Sequence, residues 1–214
     1  MNSLRYTLLA DGTSDRCLMQ VINWTLEQIP DLYNVSISSQ FADPFMLNMS
    51  PKDGEEHVRE AVRRYPCDVL FFHRDAEKEP RENRLEEIGK LTRGLKHEKP
   101  IPVVPVRMTE AWLLINERAI RLAADNPNGN VHLSLPLIHT IENLPDPKQT
   151  LKNLLIAASE KSGRRLTQFQ RGINHRLYRV ATYISDFSPL RNLSAYQVFE
   201  AETRSIMKTL IHKR

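Results

Sequence analysis

Residues 69–77 read VLFFHRDAE, a short apolar run that ends in a histidine and then turns abruptly to charged residues. A run of this kind is typical of a central strand in a parallel sheet, because such a strand is buried on both faces. Residues 8–15 (LLADGTSD) and 103–112 (VVPVRMTEAW) have the same design, an apolar strand followed closely by an acidic residue. Parallel strands end at one common edge, where open α/β folds bind ligands, so the three acidic strand ends are predicted to meet there.

Strand-like and helix-like segments alternate through residues 1–125. Thr109 is a candidate N-cap for the last helix of this part. Alternation of this kind is typical of βαβ units with right-handed crossovers, so we predict an α/β domain with a mainly parallel sheet flanked by helices. The predicted strands are residues 5–10, 33–41, 67–73 and 101–106, and the predicted helices are residues 13–30, 53–64, 81–96 and 109–123.

The rest of the chain, residues 126–214, is predicted to be an irregular segment and a basic helical extension packed on the α/β domain. Residues 125–148 are rich in Asn, Pro and His and show weak periodicity. Helix-like stretches follow near residues 148–161, 165–185 and 194–211. The chain therefore reads as one α/β domain with an appendage.

Composition places the chain among soluble cytoplasmic proteins. A hydrophobic content of 41% allows a sizeable core, and no apolar run approaches the ~20 residues that a membrane span needs. The first residues lead directly into a strand without a signal-peptide pattern. The two cysteines, Cys17 and Cys67, fit buried thiols in a reducing cytosol and exclude a cysteine-type zinc site.

Charge is unevenly distributed along the chain. Residues 151–214 contain 12 Lys or Arg and 4 Asp or Glu, which leaves 18 basic and 22 acidic residues in 1–150. An acidic half joined to a basic half suits a protein that handles polyanions. A solvated helical surface explains the charge of the second half equally well.

The acidic strand ends have the composition of a divalent-metal site. Asp11, Asp75 and Glu77 are the candidate ligands of Mg²⁺ or Mn²⁺, with Asp15 beside them and Glu110 placed to support a second ion or an attacking water. Hard carboxylate oxygens are the ligands that these ions prefer, and the ions supply the charge stabilisation that phosphodiester hydrolysis requires. Taken alone, each acid also fits a helix start or a polar loop. Their common position after strands favours a site.

Basic residues are the candidate phosphate contacts. Lys148 and Arg107 lie near the predicted site. Residues 164–184 form a predicted amphipathic helix, whose basic stripe would suit a nucleic-acid backbone. An ordinary surface helix is the alternative for this stripe, and His73 is interpreted as a packed histidine rather than a base. The stripe contains Arg164, Gln168, Arg171, His175 and Arg179.

Four short motifs carry a resemblance to a known fold. They are DGTSD at residues 11–15, DAE at 75–77, EAWLL at 110–114 and PK at 147–148. Over residues 4–155 the chain resembles the TOPRIM fold of topoisomerases, primases and OLD-type nucleases, and more narrowly the small standalone OLD-like TOPRIM proteins of bacteria. The resemblance implies a metal-dependent nuclease acting on DNA or RNA, a role in defence against phage or mobile elements, and a possible partner ATPase.

Two positions depart from the family pattern. Asp11 stands where the family has Glu, and Glu77 stands where it has a second Asp. The shorter Asp11 keeps open a second hypothesis, a TOPRIM-derived module that binds nucleic acid or a partner without catalysis. A third, weaker hypothesis is a small-molecule phosphohydrolase that uses the same ions.

Overall fold

Four parallel strands form the sheet, in the order β2-β1-β3-β4, in a computed structural model that describes residues 2–48, 50–95 and 99–212. The register places Leu8 of the first strand opposite Phe41 of the second and Phe71 of the third. The order and the parallel pairing confirm the predicted α/β class, a Rossmann-like arrangement. The strands are β1 (Ser3–Leu9), β2 (Ser36–Ala42), β3 (Val69–His73) and β4 (Lys99–Val103).

Helices cover the two faces of this sheet. Short 3₁₀ segments at Thr13–Cys17 and Thr109–Leu113 follow the acidic strand ends and precede regular helices. No helix in the described ranges is long and apolar enough to cross a membrane. The α-helices are α1 (Leu18–Glu27), α2 (Pro44–Leu47), α3 (Glu55–Arg64), α4 (Arg81–Leu91), α5 (Glu117–Ala123), α6 (Pro147–Ser159), α7 (Gly163–Arg171), α8 (Ile173–Tyr183) and α9 (Ser194–His212).

Strand β3 shows why its sequence is apolar without alternation. Phe71 packs into one buried cluster, and Leu70 and Phe72 pack into another on the opposite face, so the strand is covered on both sides. The cluster around Phe71 also contains Leu177 and Phe199 from the C-terminal helices. The helical extension is thus part of the main core, and it brings α8 to the carboxyl edge of the sheet.

The single helix predicted over residues 109–123 is wrong. Thr109–Leu113 is a buried 3₁₀ segment, and α5 starts only after Asn116, whose side chain accepts a hydrogen bond from the backbone N–H of Ala119 at 2.9 Å. Every residue of the 3₁₀ segment is buried, so the apolar run has no solvent-facing side and does not fit an amphipathic helix. The predicted capping role of Thr109 is therefore also wrong.

The continuous helix predicted over residues 164–184 is divided at Gly172. This residue has φ −98° and ψ 8°, outside the helical range, and it separates α7 from α8. Glycine is a weak helix former, because it loses the most backbone freedom on ordering. The basic stripe therefore lies on two helices and does not form one continuous row.

Two predicted elements end earlier than expected. Strand β4 ends at Val103 rather than residue 106, and its two prolines, Pro100 and Pro102, suit its position at the edge of the sheet. Helix α4 ends at Leu91, and Lys96, the last residue of the predicted helix, lies outside the described residues.

Candidate functional site

The ends of β1 and β3 bring two carboxylates to one buried imidazole. His73 closes β3 with its side chain 1% exposed, and its Nε2 lies 3.4 Å from Oδ1 of Asp75 and 3.9 Å from Oδ1 of Asp15. The other ring nitrogen, Nδ1, is 2.8 Å from the carbonyl oxygen of Val103 on β4. A carbonyl only accepts, so Nδ1 carries a proton and the ring is held with Nε2 toward the acids.

Thr109 fixes Asp75 from the segment after β4. Its backbone N–H donates to Oδ1 of Asp75 at 2.9 Å, and its hydroxyl lies 3.2 Å from Nε2 of His73 and 3.4 Å from the same Asp75 oxygen. Three residues from two strand ends thus form one network. A signal for this network is present in the sequence, since His73 ends the apolar run and Thr109 directly precedes Glu110.

Negative charge dominates this network. Burial raises the pKa of the Asp15 carboxyl, Asp75 and Asp11 raise it further, and His73 acts in the opposite direction. Burial works against protonation of His73, but its contacts with Asp75 and Asp15 outweigh burial, so the pKa of His73 lies above its usual value. The two carboxylates therefore favour positive charge on the ring of His73.

Glu110 adds a third, more deeply buried carboxylate. Its side chain is 4% exposed, and its Oε1 lies 3.2 Å from Nζ of Lys148 at the start of α6. Lys148 in turn donates to the hydroxyl of Tyr178 on α8 at 3.4 Å. Burial disfavours the ammonium charge, yet Glu110 and Tyr178 outweigh this effect and raise the pKa of Lys148.

Cys17 is a buried thiol in the electrostatic field of three acids. Burial raises the pKa of its thiol well above the usual value, and the negative charges of Asp15, Glu110 and Asp75 act in the same direction. The thiol is thus an inert packing group. It forms part of the wall between the carboxylates and the neighbouring helix.

Two predicted ligands lie apart from this centre. Asp11 forms an ion pair with Arg74, and the carboxylate of Glu77 is 69% exposed and 3.8 Å from Arg84. Glu77 has φ 54°, and its backbone N–H donates to the carbonyl of Arg107 at 2.6 Å, which turns the side chain outward. The structure therefore does not bring Asp11, Asp75 and Glu77 together as one ligand set.

The candidate phosphate contacts are also spread over several surfaces. Arg107, itself at φ 63°, lines a cavity of about 530 Å³ together with Glu77 and Asp146. Arg164 and Arg171 border a depression on α7. Arg179 lies elsewhere, in a cavity beside Ser14, whereas Lys148 reaches Glu110 directly.

Asp15 and Asp75 are the two carboxylates that would hold a magnesium-type ion. Within the described ranges, no group of three or more His, Cys, Asp or Glu side chains is arranged to hold a metal ion. Mg²⁺ usually keeps several waters and uses one or two carboxylates together with substrate phosphates, so a complete protein cage is not required. The position of both carboxylates beside one ring nitrogen, 3.4 Å and 3.9 Å from Nε2 of His73, is the observation that supports this fit.

The chain is a parallel α/β protein with Asp15 and Asp75 beside His73 at the carboxyl edge of its sheet, the edge where open α/β folds bind ligands. No family model, curated protein or solved structure matches the chain. The functional argument therefore depends on the chemistry of the site itself.

Proposed function

We propose that the chain is a divalent-metal-dependent nuclease of the TOPRIM/OLD-like type. The observation that carries the proposal is the approach of Asp15 and Asp75 to one buried ring nitrogen, 3.9 Å and 3.4 Å from Nε2 of His73, at the carboxyl edge of the sheet. A metal ion held by Asp15 and Asp75 would supply charge stabilisation at a phosphate and an activated water. The order of the four motifs within residues 4–155, which resembles that of the TOPRIM family, supports this type of nuclease over other metal-dependent enzymes with clustered carboxylates.

The surrounding residues have positioning roles in this proposal. Thr109 and His73 hold Asp75 through the 2.9 Å and 3.4 Å contacts and keep one carboxylate oxygen directed inward. Lys148 neutralises buried Glu110, and its side chain is 40% exposed, which leaves it able to contact a phosphate oxygen. Asp11, paired with Arg74, is available to an ion only after that pair opens.

Cleavage assays test the proposal directly. Single-stranded DNA, double-stranded DNA and RNA are incubated with the full chain and Mn²⁺ or Mg²⁺, with EDTA as the metal-free arm. Asp15→Asn and Asp75→Asn should each reduce the rate by more than the ~100-fold that is typical for loss of a supporting group. Glu79→Gln, which removes an exposed carboxylate from the loop after β3, is the matched control and should retain the rate. If both Asn variants formed product at the wild-type rate, the proposal would be overturned.

A binding module without catalysis is the second candidate. The ion pairs of Asp11 with Arg74 and of Glu110 with Lys148 favour it, because each places an internal cation where an active site could hold a metal. Such a module would bind nucleic acid or a partner ATPase through its basic helices. Nucleic-acid binding without any metal-dependent product would select this candidate. A role in defence against phage or mobile elements rests on the resemblance alone.

A further inference from the structure

A cavity of about 430 Å³ opens beside the carboxylate centre, between the Thr13–Cys17 segment and α8. Arginine side chains line it from both sides, Arg16 from the 3₁₀ segment and Arg179 from the helix, and His175 lies beside Arg179 in the lining. Among the described residues that line it, none is an aspartate or glutamate. The volume lies within the roughly 300–1,000 Å³ of small-ligand pockets, and the charge selects an anion.

The cavity shares a wall with the carboxylate centre. Cys17 lines the cavity, and the charges of the three acids help to raise the pKa of its thiol. Tyr178, also in the lining, contacts Lys148 at 3.4 Å, and Lys148 contacts Glu110 at 3.2 Å. A ligand in the cavity would therefore lie next to the acids.

The break at Gly172 decides which part of the basic stripe faces this cavity. His175 and Arg179, on α8, line it, whereas Arg164 and Arg171, on α7, border a different depression. The two halves of the stripe are therefore separate surfaces. The α7 arginines provide an internal comparison for any experiment on the α8 half.

Arg179 is oriented by its neighbours, and its nearest carboxylate, that of Asp125, pairs more closely with another arginine. Its Nη1 lies 3.7 Å from Oδ1 of Asp125, and Asp125 forms its closer contact with Arg176. The hydroxyl of Tyr183 accepts a hydrogen bond from the other terminal nitrogen of Arg179. The side chain remains 34% exposed, so its guanidinium is oriented and open to an anion.

We propose that this cavity binds one nucleotide unit of a nucleic-acid chain. Arg16 and Arg179 hold its phosphate, and the ring of Tyr178 lies beside its base, as in sites that combine cationic and aromatic side chains. The choice of a nucleotide rests on the proposed function, whereas the anion-binding character follows from the cavity itself. The bound unit would adjoin the phosphodiester presented to Asp15 and Asp75.

Binding in EDTA tests the proposal without metal or turnover. The full chain is titrated into a short fluorescent single-stranded DNA at one fixed salt concentration, because phosphate contacts make affinity depend on salt. The Arg16→Gln/Arg179→Gln pair should weaken binding about tenfold or more. The Arg164→Gln/Arg171→Gln pair removes the same charge and should weaken it less than about threefold.

Competition identifies the ligand class. Deoxyadenosine 5′-monophosphate should displace the oligonucleotide from the wild-type chain, whereas deoxyadenosine should not. Equal weakening by the two arginine pairs, or no displacement by the monophosphate, would overturn the proposal. If the Arg179 variant does not fold, as judged by circular dichroism, Arg16→Gln/His175→Gln replaces it with the same expectation. A chain that binds through this cavity and cleaves nothing would overturn the nuclease and leave the pocket intact.

Discussion

The backbone N–H of Thr109 donates a hydrogen bond to Oδ1 of Asp75 at 2.9 Å, across 34 positions of sequence. This bond ties the segment after β4 to the end of β3, and the Thr109 hydroxyl adds contacts to the same carboxylate and to Nε2 of His73. The orientation of Asp75 is thus set by Thr109, which is uncharged, and by His73, which is buried behind it.

Substitutions at Thr109 distinguish the contribution of its hydroxyl from that of its backbone N–H. Thr109→Val keeps the shape and the N–H but removes the contact with His73, and we expect a loss of about 10- to 100-fold in metal-dependent activity. Thr109→Ser restores the hydroxyl and should recover most of the rate. The measurement is kcat and KM for cleavage with Mn²⁺, and equal activity of the Val and Ser variants would contradict the role given to the hydroxyl.

Glu77 and Asp75 should differ strongly despite their closeness in sequence. Asp75 is part of the buried network, whereas Glu77 is 69% exposed and contacts Arg84. Glu77→Gln should therefore reduce cleavage by less than about tenfold, in contrast to the more than ~100-fold expected for Asp75→Asn. The two variants are compared at several Mn²⁺ concentrations. A matching loss in both would restore Glu77 to the predicted ligand set.

The Glu110–Lys148 pair should contribute to stability because Glu110 is almost fully buried. Lys148→Met leaves that carboxylate without its cation, and we expect a loss of about 1–3 kcal/mol in the free energy of unfolding. This is less than the cost of breaking a fully buried pair, because Lys148 is partly exposed and solvent screens its charge. Urea unfolding at pH 7 gives the value. Glu110→Gln in the Lys148→Met background should recover part of the loss in a double-mutant cycle.

The same pair predicts the direction of a pH effect. The folded pKa of Lys148 is raised, so its contribution is complete below the unfolded lysine value of about 10.4 and is lost as pH rises through the folded value. The wild-type chain should therefore lose stability more steeply above pH ~10 than the Lys148→Met variant. Parallel curves would show that the pair does not act through this proton.

Glu200 should make α9 sensitive to acid. Burial opposes its charge, but hydrogen bonds from Arg191 and Arg204 outweigh burial and lower the pKa of Glu200 below its usual value. A lowered folded pKa means that the contribution is present above the unfolded value of about 4.3 and is lost as pH falls through the folded value. Glu200→Gln should cost about 1 kcal/mol at pH 7 and progressively less in acid. Exposed Glu56→Gln is the control.

Trp112 is expected to matter for stability rather than chemistry. Its ring packs against Tyr196 and Phe199, with centroids 5.6 Å and 5.7 Å away, and joins the 3₁₀ segment to α9. Trp112→Ala should lower the free energy of unfolding by about 3–5 kcal/mol. Trp112→Phe should cost clearly less, because Nε1 has no hydrogen-bond partner among the described residues. Thermal unfolding of both variants checks this order.

The sheet was predictable because its physical signal is local. The continuous apolar run of β3 and the acidic strand ends depend only on burial and chain direction, and the structure confirms the parallel α/β class. The 3₁₀ segment at Thr109–Leu113 was missed because short-range periodicity does not register tertiary burial. The break at Gly172 follows the low helix propensity of glycine, a local signal that the amphipathic pattern of residues 164–184 masked.

The structure brings together some of the acids predicted for the site and leaves others apart. Asp15 and Asp75 both lie beside His73. The sequence indicated a packed histidine at this position, and its buried place at the end of β3 is what brings the ring next to the acids. Glu77 turns outward through a positive φ, and Asp11 pairs with Arg74. Spacing in sequence gives neither a backbone dihedral nor the choice of an ion-pair partner.

The strand order has a consequence for synthesis on the ribosome. β1 lies between β2 and β3, so its second edge stays unpaired until Val69–His73 has emerged. Such a contact closes a long loop and favours slow folding, with an exposed strand edge in the meantime. The strand that leads into the acidic loop therefore acquires its final neighbours late, and the carboxylate centre forms only after much of the chain has been made.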